Sequence, residues 1–330
     1  MDNKGLGVKM IKSMLKDLIR RLINDMFPNA FKTNESILML EGKNASSWVK
    51  QTEEIDSLSD VEFKVYSQWG EDGIIEWLIQ KLPISSNRFI EFGIGNYKEA
   101  NTRFLIQNHN WRGLVIDSNL NYIHDVRNDE IYWKHDLTAC HAFITKDNIN
   151  NLITTNGFAG KIALLSIDID GNDYWIWQAI EAVKPDIVIC EYNGIFGDVY
   201  PITIPYEDNF QRTYAHYSNL YYGAGIRALD VLAVRKGYIL LGSNSTGSNA
   251  FFIRKDLADC IIPRIKNKKA KPPLLRESRD GNNKLTFLYG LKRFDIIKHL
   301  QVVRIDTQET ILLESLPSVY SDQWLAEMGV

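Results

Sequence analysis

The 330-residue chain predicts an α/β fold, a mostly parallel sheet covered by helices on both faces and finished by a late antiparallel strand. Two observations carry this expectation. From about residue 66, apolar strand-like runs alternate with helix-compatible stretches, the rhythm of a parallel sheet whose crossovers are helices. Later, GYILLG at 237–242 and NAFFIR at 249–254 are separated only by SNSTGS. Six polar residues can close an antiparallel hairpin but are too few for a parallel crossover. With 45% hydrophobic and 24% charged residues, the chain can bury the core such a sheet needs.

Taken in order, the first segment is VKMIKSMLKDLIRRLINDMF. It sets Ile11, Met14, Leu15, Leu18, Leu22 and Met26 at helical spacing, with Lys9, Lys12, Lys16, Arg20 and Arg21 on the remaining face, before Pro28 discourages continuation. Such a helix suits packing on the domain or on a partner subunit in a homo-oligomer. It also suits peripheral contact with anionic lipid at the inner face of a membrane. Residues 28–60 show no clear pattern, so 1–60 is read as an N-terminal helical extension.

The main domain is expected over 61–258. A helix over EDGIIEWLIQKL (71–82) leads into NRFIEFGIG (87–95), and a helix around 99–108 leads into GLVID (113–117). Further strands are expected at IYWKH (131–135), IALLSIDI (162–169) and IVICEY (187–192), with a helix over 224–236 before the hairpin. RIKNKKAKPP at 264–273 reads as a solvated basic loop or as a contact for an anionic ligand. Apolar patterns resume at 285–316, so 259–330 is expected as a C-terminal addition packed on the core.

A formal charge of −3 gives no global field toward nucleic acid, which is excluded as a partner on that ground. Cys140, Cys190 and Cys260 are too far apart for a zinc knuckle or redox turn and point to a reducing compartment. No opening stretch resembles a secretory signal and no apolar run is long enough to span a bilayer, so the expectation is a cytoplasmic protein.

In an open α/β sheet, ligands collect beyond the carboxyl ends of the strands. Gly93 and Gly95 stand at such an end and allow a tight turn with close backbone approach. Asp117, ending the next strand 22 residues after Gly95, is placed to accept both hydroxyls of a ribose. EFGIGN lacks the third glycine of a dinucleotide fingerprint, and Glu91 beside it disfavours a pyrophosphate. A carboxylate there suits a cationic methionine part, so S-adenosylmethionine fits better than a nicotinamide cofactor. A nucleotide-sugar or NAD-dependent enzyme is the enzymatic alternative, and a non-catalytic interaction scaffold is the alternative of another class.

The densest chemical signal is SIDIDGNDYW. Asp168 and Asp170 share side-chain parity in a strand, and a turn at Gly171 lets them converge with Glu191, which ends the next strand ahead of Asn193. Adjacent carboxylates supply hard oxygen ligands for Mg²⁺ or another divalent cation. They equally suit helix capping and loop hydrogen bonds, or direct binding of cofactor or acceptor. His216, in QRTYAHYSNLYYGAG, and Asp170 are the candidate bases for an oxygen acceptor.

Several of these stretches form a recurring set: YSQWGED at 66–72, FIEFGIGN at 89–96 followed by Asn101 and Thr102, WRGLVIDSN at 111–119, LLSIDIDGNDYW at 164–175, IVICEYN at 187–193 and GSNAFFI at 247–253. In their order and spacing, over roughly residues 65–255, they resemble the FkbM family of class I S-adenosylmethionine-dependent methyltransferases. The resemblance implies a Rossmann-like seven-stranded sheet with the last strand antiparallel. It further implies methyl transfer to oxygen on a sugar or glycan-pathway intermediate. On it, Gln68, Glu91, Gly93, Gly95, Asn101, Asp117, Asp136 and Asp168 line the cofactor site, with Asp136 at the adenine end or capping the next helix. Asp168, Asp170 and Glu191 would be the metal ligands. Gly171 stands where catechol-type enzymes place a catalytic lysine, so that lysine mechanism does not carry over.

Overall fold

The computed structural model describes residues 30–329. The basic amphipathic segment at 8–27 lies outside them. The chain divides into two units between Ala45 and Ser46. Of the first, the structure describes part of one helix, Ala30–Gln51. The sheet and its connections all belong to the second, Ser46–Val330.

Seven strands form the central sheet: β1 (Arg88–Phe92), β2 (Arg112–Asp117), β3 (Leu137–His141), β4 (Gly160–Ile167), β5 (Val183–Glu191), β7 (Tyr238–Ser243) and β8 (Asn249–Arg254), in the order β3-β2-β1-β4-β5-β8-β7. All pairings from β3 to β5 are parallel. β8 runs antiparallel to both β5 and β7. The short hairpin therefore returns the chain between β5 and β7, as its length requires. Three further strands, β6 (Ile202–Thr203), β9 (Gln301–Arg304) and β10 (Thr310–Leu312), make a small antiparallel sheet in the order β10-β9-β6. This is the class I methyltransferase topology, a Rossmann-like sheet with one late antiparallel strand.

The strands read as apolar runs because both faces of the sheet are covered. Ile90, Phe92, Leu114, Ile116, Leu165 and Ile167 pack on one side with Trp177 and Phe252. Phe89, Val115, Leu164, Ile187 and Ile189 pack on the other with Trp77 and Leu78. The chain leaves β1 on one side for β2 and returns on the other at β4, so a crevice opens above the carboxyl ends of β1 and β4.

One predicted strand is a helix. IYWKH at 131–135 has strand-like residues, but Glu130–Lys134 is helical, capped by Asp129, whose Oδ1 accepts from the Ile131 N–H at 2.9 Å. Within it only Ile131 is buried, and Trp133 is 73% exposed. The edge strand is instead LTACH, which buries Leu137 and Ala139 in alternation. An edge strand needs only one apolar row, which makes it inconspicuous in a sequence.

Residues beyond 259 share the main core. β9 pairs with β6, Leu313, Val319, Trp324 and Met328 are buried in the same cluster as Trp177, and the Tyr320 hydroxyl donates to the Ile195 carbonyl at 2.8 Å. Among the described residues no helix is long and apolar enough to cross a membrane.

Candidate active site

The turn after β1 is shaped by two glycines with different duties. Gly93 (φ +70°) lies so close to the chain after β4 that a Cβ would stand 1.5 Å from the Asp168 carbonyl oxygen. Gly95 (φ +54°) faces open space, with no atom within 4 Å of where a Cβ would be. Its N–H donates to Asp117 Oδ2 at 2.9 Å, while the Asn119 N–H donates to Oδ1 at 2.7 Å. The Asp117 carboxylate thus ties the first two strand tips together and retains lone pairs for a ligand. Burial raises its pKa against those donors.

Glu91 is committed to the protein. It accepts from the Asn101 N–H at 2.8 Å, from the Thr102 N–H at 3.0 Å and from the Thr102 hydroxyl. These bonds hold the loop after β1, and Glu91 also lines the cleft. The Asn101 amide reaches across to Ser166 Oγ at 3.1 Å.

YSQWGED forms a knot for the same reason. Asp72 Oδ2 accepts from the N–H groups of Val65, Tyr66 and Ser67 at 2.7, 2.7 and 2.8 Å, leaving Gln68 and Trp69 to face the cleft. Glu71 Oε1 then accepts from Asn244 at 2.7 Å and Asn249 at 2.8 Å, joining this loop to the β7–β8 hairpin.

Burial moves the Asp72 carboxyl from 3.8 to about 6 and Glu91 from 4.5 to about 7, despite the donors around each. At these two groups the folded protein holds more protons than the unfolded chain, for Asp72 from about pH 4 to 6 and for Glu91 from about pH 4.5 to 7, and their contribution to stability falls as pH rises through those windows. Each group contributes up to about 1.4 kcal/mol per pH unit. Urea unfolding of wild type and Glu91→Gln across this range should show a shallower decline in the variant; parallel curves would refute the assignment to Glu91.

At the tips of β4 and β5 three carboxylates converge. Asp168, Asp170 and Glu191 each place an oxygen within 4.8 Å of the others. Asp173 organises the turn beneath them, accepting from the Ile169 N–H at 2.8 Å and the Gly171 N–H at 3.0 Å. Asp170 itself adopts φ +55°, is exposed, and takes a 2.6 Å hydrogen bond from Arg212. Burial, then repulsion from neighbouring acids, raises the proton affinity of Asp168 and Glu191 well above the carboxylate norm. Glu191 is nine-tenths buried, and its Oε2 has no hydrogen-bond partner. Asn249, directly opposite Glu191 in the β5–β8 register, leaves its Oδ1 buried and unpartnered as well. Two orphaned acceptors at one register position, on one cavity, suit a cation or a donor.

Two residues singled out in the sequence stand elsewhere. Asp136 precedes β3 and lies level with Arg112 at the opposite end of the sheet, its side chain 69% exposed and 3.5 Å from that guanidinium. With β3 displaced from 131–135 to 137–141, the residues beyond its carboxyl end are Ala142–Ile144, and these line the cleft. His216 lines neither half of the cleft. Its Nδ1 meets Ser218 Oγ at 2.7 Å and its ring packs on Tyr217 and His299, with burial and His299 depressing its pKa. His216 is therefore withdrawn as a base. Asn193 is structural, its amide donating to the carbonyls of Leu220 and Tyr222.

The cleft has two adjoining cavities of about 840 Å³ each, within the range of small-molecule sites. One runs from Gly93 past Asp117 to Asn119, His141 and Phe143. The other runs from Glu91 and Asn101 past Asp168 and Glu191 to Tyr222, Asn249, Arg276 and Arg293. Gly93, Gly95, Asp168, Asp170 and Arg212 border both. Arg212, Asn249 and Arg293 escaped sequence reasoning. Arg212 lies in the same segment as His216, and Asn249 inside a recognisable strand, but neither residue type carries a spacing signal.

No family model and no curated protein sequence matches the chain. Among solved structures, the N-terminal domain of EvdMO1 with SAH bound aligns at a TM-score of 0.36 and 8% identity, over 56% of this chain and 79% of that one. An S-adenosylmethionine-dependent methyltransferase from Clostridium acetobutylicum aligns at 0.35 and 9%, over 56% and 90%. The pyocyanin biosynthetic protein PhzM aligns at 0.31 and 12%, over 52% of each chain. Likeness this loose carries no functional argument, and the fold rests on the strand order of the central sheet. The resemblance to the FkbM family is corrected accordingly: no family model supports it, and the chain has the class I methyltransferase fold at large.

Proposed function

We propose that the protein is an S-adenosylmethionine-dependent O-methyltransferase. The observation that carries this reading is the Gly95 turn, open to solvent and tied to the Asp117 carboxylate at the strand-order switch, with the Asp168–Glu191 acids at the next switch-point strands. A ribose would meet the free lone pairs of Asp117, and an adenine would lie along Asn119, His141 and Phe143. The methionine part would run past Gly93 toward Gln68 and Asn101.

S-Adenosylmethionine supplies an electrophilic methyl group, so the chain's own task is to orient an acceptor hydroxyl and take its proton. Glu191 Oε2, buried and unpartnered, would take that proton from its ionised form. Asn249 Oδ1 beside it would accept a second hydrogen bond from the acceptor. The three carboxylates and this amide oxygen also fit a divalent cation, which would favour ionisation of the hydroxyl. A metal-free reading has its own support, because Arg212 already brings positive charge to Asp170. Apolar faces at Trp69, Tyr122 and Phe287, mixed with acids, amides and arginines, suit a sugar-containing acceptor.

Calorimetric titration with S-adenosylmethionine, S-adenosylhomocysteine and NAD tests the cofactor directly. Saturable binding of the first two and not of NAD is expected, with Asp117→Ala weakening it by about 1–3 kcal/mol. Absence of S-adenosylhomocysteine binding by the folded wild type would reject the reading, as would an unchanged affinity in the variant for the ribose role.

A further inference from the structure

We propose that the outer half of the cleft binds an oxyanion carried by the acceptor, a carboxylate or a phosphate, with Arg293 as its principal ligand and Arg276 at its rim. Only the word acceptor rests on the methyltransferase reading; the anion site stands on its own geometry.

Arg293 is 3% exposed, sits on the helix Leu291–Ile297 and lines the same cavity as Glu191 and Tyr222. Its Nη1 donates to the Leu275 carbonyl at 2.7 Å, and its Nε is buried without a partner. Among the described residues no carboxylate lies within ion-pair distance of it. The other enclosed arginines differ. Arg103 faces Asp129, Arg254 meets Asp186 at 2.5 Å, and Arg212 meets Asp170 at 2.6 Å. A guanidinium stays charged at any ordinary pH, and burying one without a counterion is unfavourable.

The surroundings sharpen the deficit. Arg212 lies over the Tyr222 ring at 4.0 Å, and burial together with repulsion from Arg212 lowers the proton affinity of Arg293. The segment that closes this side of the cleft brings Arg276, Arg279 and Arg293 to the cavity together with the carboxylate of Glu277. That carboxylate is engaged with Arg279 at 3.3 Å and approaches Arg212 at 3.8 Å. Arg276 is exposed, spreads over the Tyr289 ring at 5.0 Å, and has no carboxylate partner among the described residues. Planar forks of N–H donors without an acid, facing a cavity, match the bidentate geometry of carboxylates and phosphates.

The test titrates the full chain with sodium phosphate and with sodium acetate at constant ionic strength set by chloride, following the thermal midpoint with and without S-adenosylhomocysteine. At least one of the two anions should raise the midpoint with half-saturation in the low millimolar range. A phosphate response assigns a phosphate-bearing acceptor and an acetate response a carboxylate-bearing one. Arg293→Met should weaken the response at least tenfold, with S-adenosylhomocysteine affinity unchanged within twofold, and Arg276→Ala should weaken it at least threefold. If Arg293→Met does not fold, Arg293→Lys keeps the charge without the fork and should lose at least threefold. No response to either anion, or an undiminished response in a folded Arg293 variant, overturns the proposal. Loss of S-adenosylhomocysteine binding alone would defeat the cofactor reading and leave the anion result, measured on the unloaded protein, to stand or fall separately.

Discussion

Glu191→Gln is expected to stabilise the ligand-free protein at pH 7.5 by about 1–2 kcal/mol while removing most of its affinity for a divalent cation. Glu191 is buried within 4.8 Å of two other carboxylates, Asp168 and Asp170, and a negative charge on it would meet their repulsion with no donor at Oε2. Glutamine fills the same volume without charge, and its amide can donate to Asn249 Oδ1, the other orphaned acceptor. The relief of repulsion and the new hydrogen bond act in the same direction. Divalent cations, by contrast, need the anion, so calorimetry with Mn²⁺ should show an affinity loss of at least about 100-fold, near 2.7 kcal/mol. Differential scanning calorimetry reads the first effect. A lower midpoint in the variant would mean that the carboxylate is part of the fold's own support, and the site would lose its best argument for function. Weak Mn²⁺ binding by wild type would favour the metal-free reading, in which Arg212 supplies the positive charge.

The pattern of the fold is legible wherever burial on both faces writes an apolar run. β1, β2, β4, β5 and β8 announce themselves that way, and the six-residue connection SNSTGS dictates the antiparallel return. β3 does not, because an edge strand with one polar face competes poorly with IYWKH for attention. That stretch is a helix through the Asp129 cap and the exposure of Trp133. The slip carries Asp136 with it, since a residue placed after the wrong strand lands at the wrong end of the right one.

The site divides along a similar line. Asp117 and Glu191 end strands, and Asp168 and Asp170 follow the end of β4, so sheet geometry brings them to one edge. Glu91 also ends a strand, but which partner it takes depends on the loop at 101–102, and no strand pattern encodes that choice. Arg212 and Arg293 come from irregular or terminal segments whose path is set by tertiary packing. Their place on one cavity has no sequence period. His216 is attractive in the sequence for its titration range, yet in the fold it belongs to a ring cluster with Tyr217 and His299.

The two glycines after β1 separate backbone support from ligand access, and their alanine variants should fail in different ways. In Gly93→Ala the new methyl would fall 1.5 Å from the Asp168 carbonyl oxygen, in a left-handed backbone conformation. The tips of β1 and β4 must part, which moves Asp168 and its neighbours together. A loss of about 3–4 kcal/mol in stability is expected, with S-adenosylhomocysteine binding and Mn²⁺ binding both falling sharply. Gly95→Ala meets no atom within 4 Å, so its stability cost is only the left-handed backbone term of about 1–2 kcal/mol. Its methyl occupies the open side of the turn, however, where a cofactor would approach Asp117. S-Adenosylhomocysteine affinity should therefore fall at least tenfold while Mn²⁺ affinity holds. Urea unfolding and the two titrations on both variants decide the matter. If Gly95→Ala binds S-adenosylhomocysteine like wild type, that open space is not the cofactor's path, and the position of the whole ligand in the cleft must be redrawn.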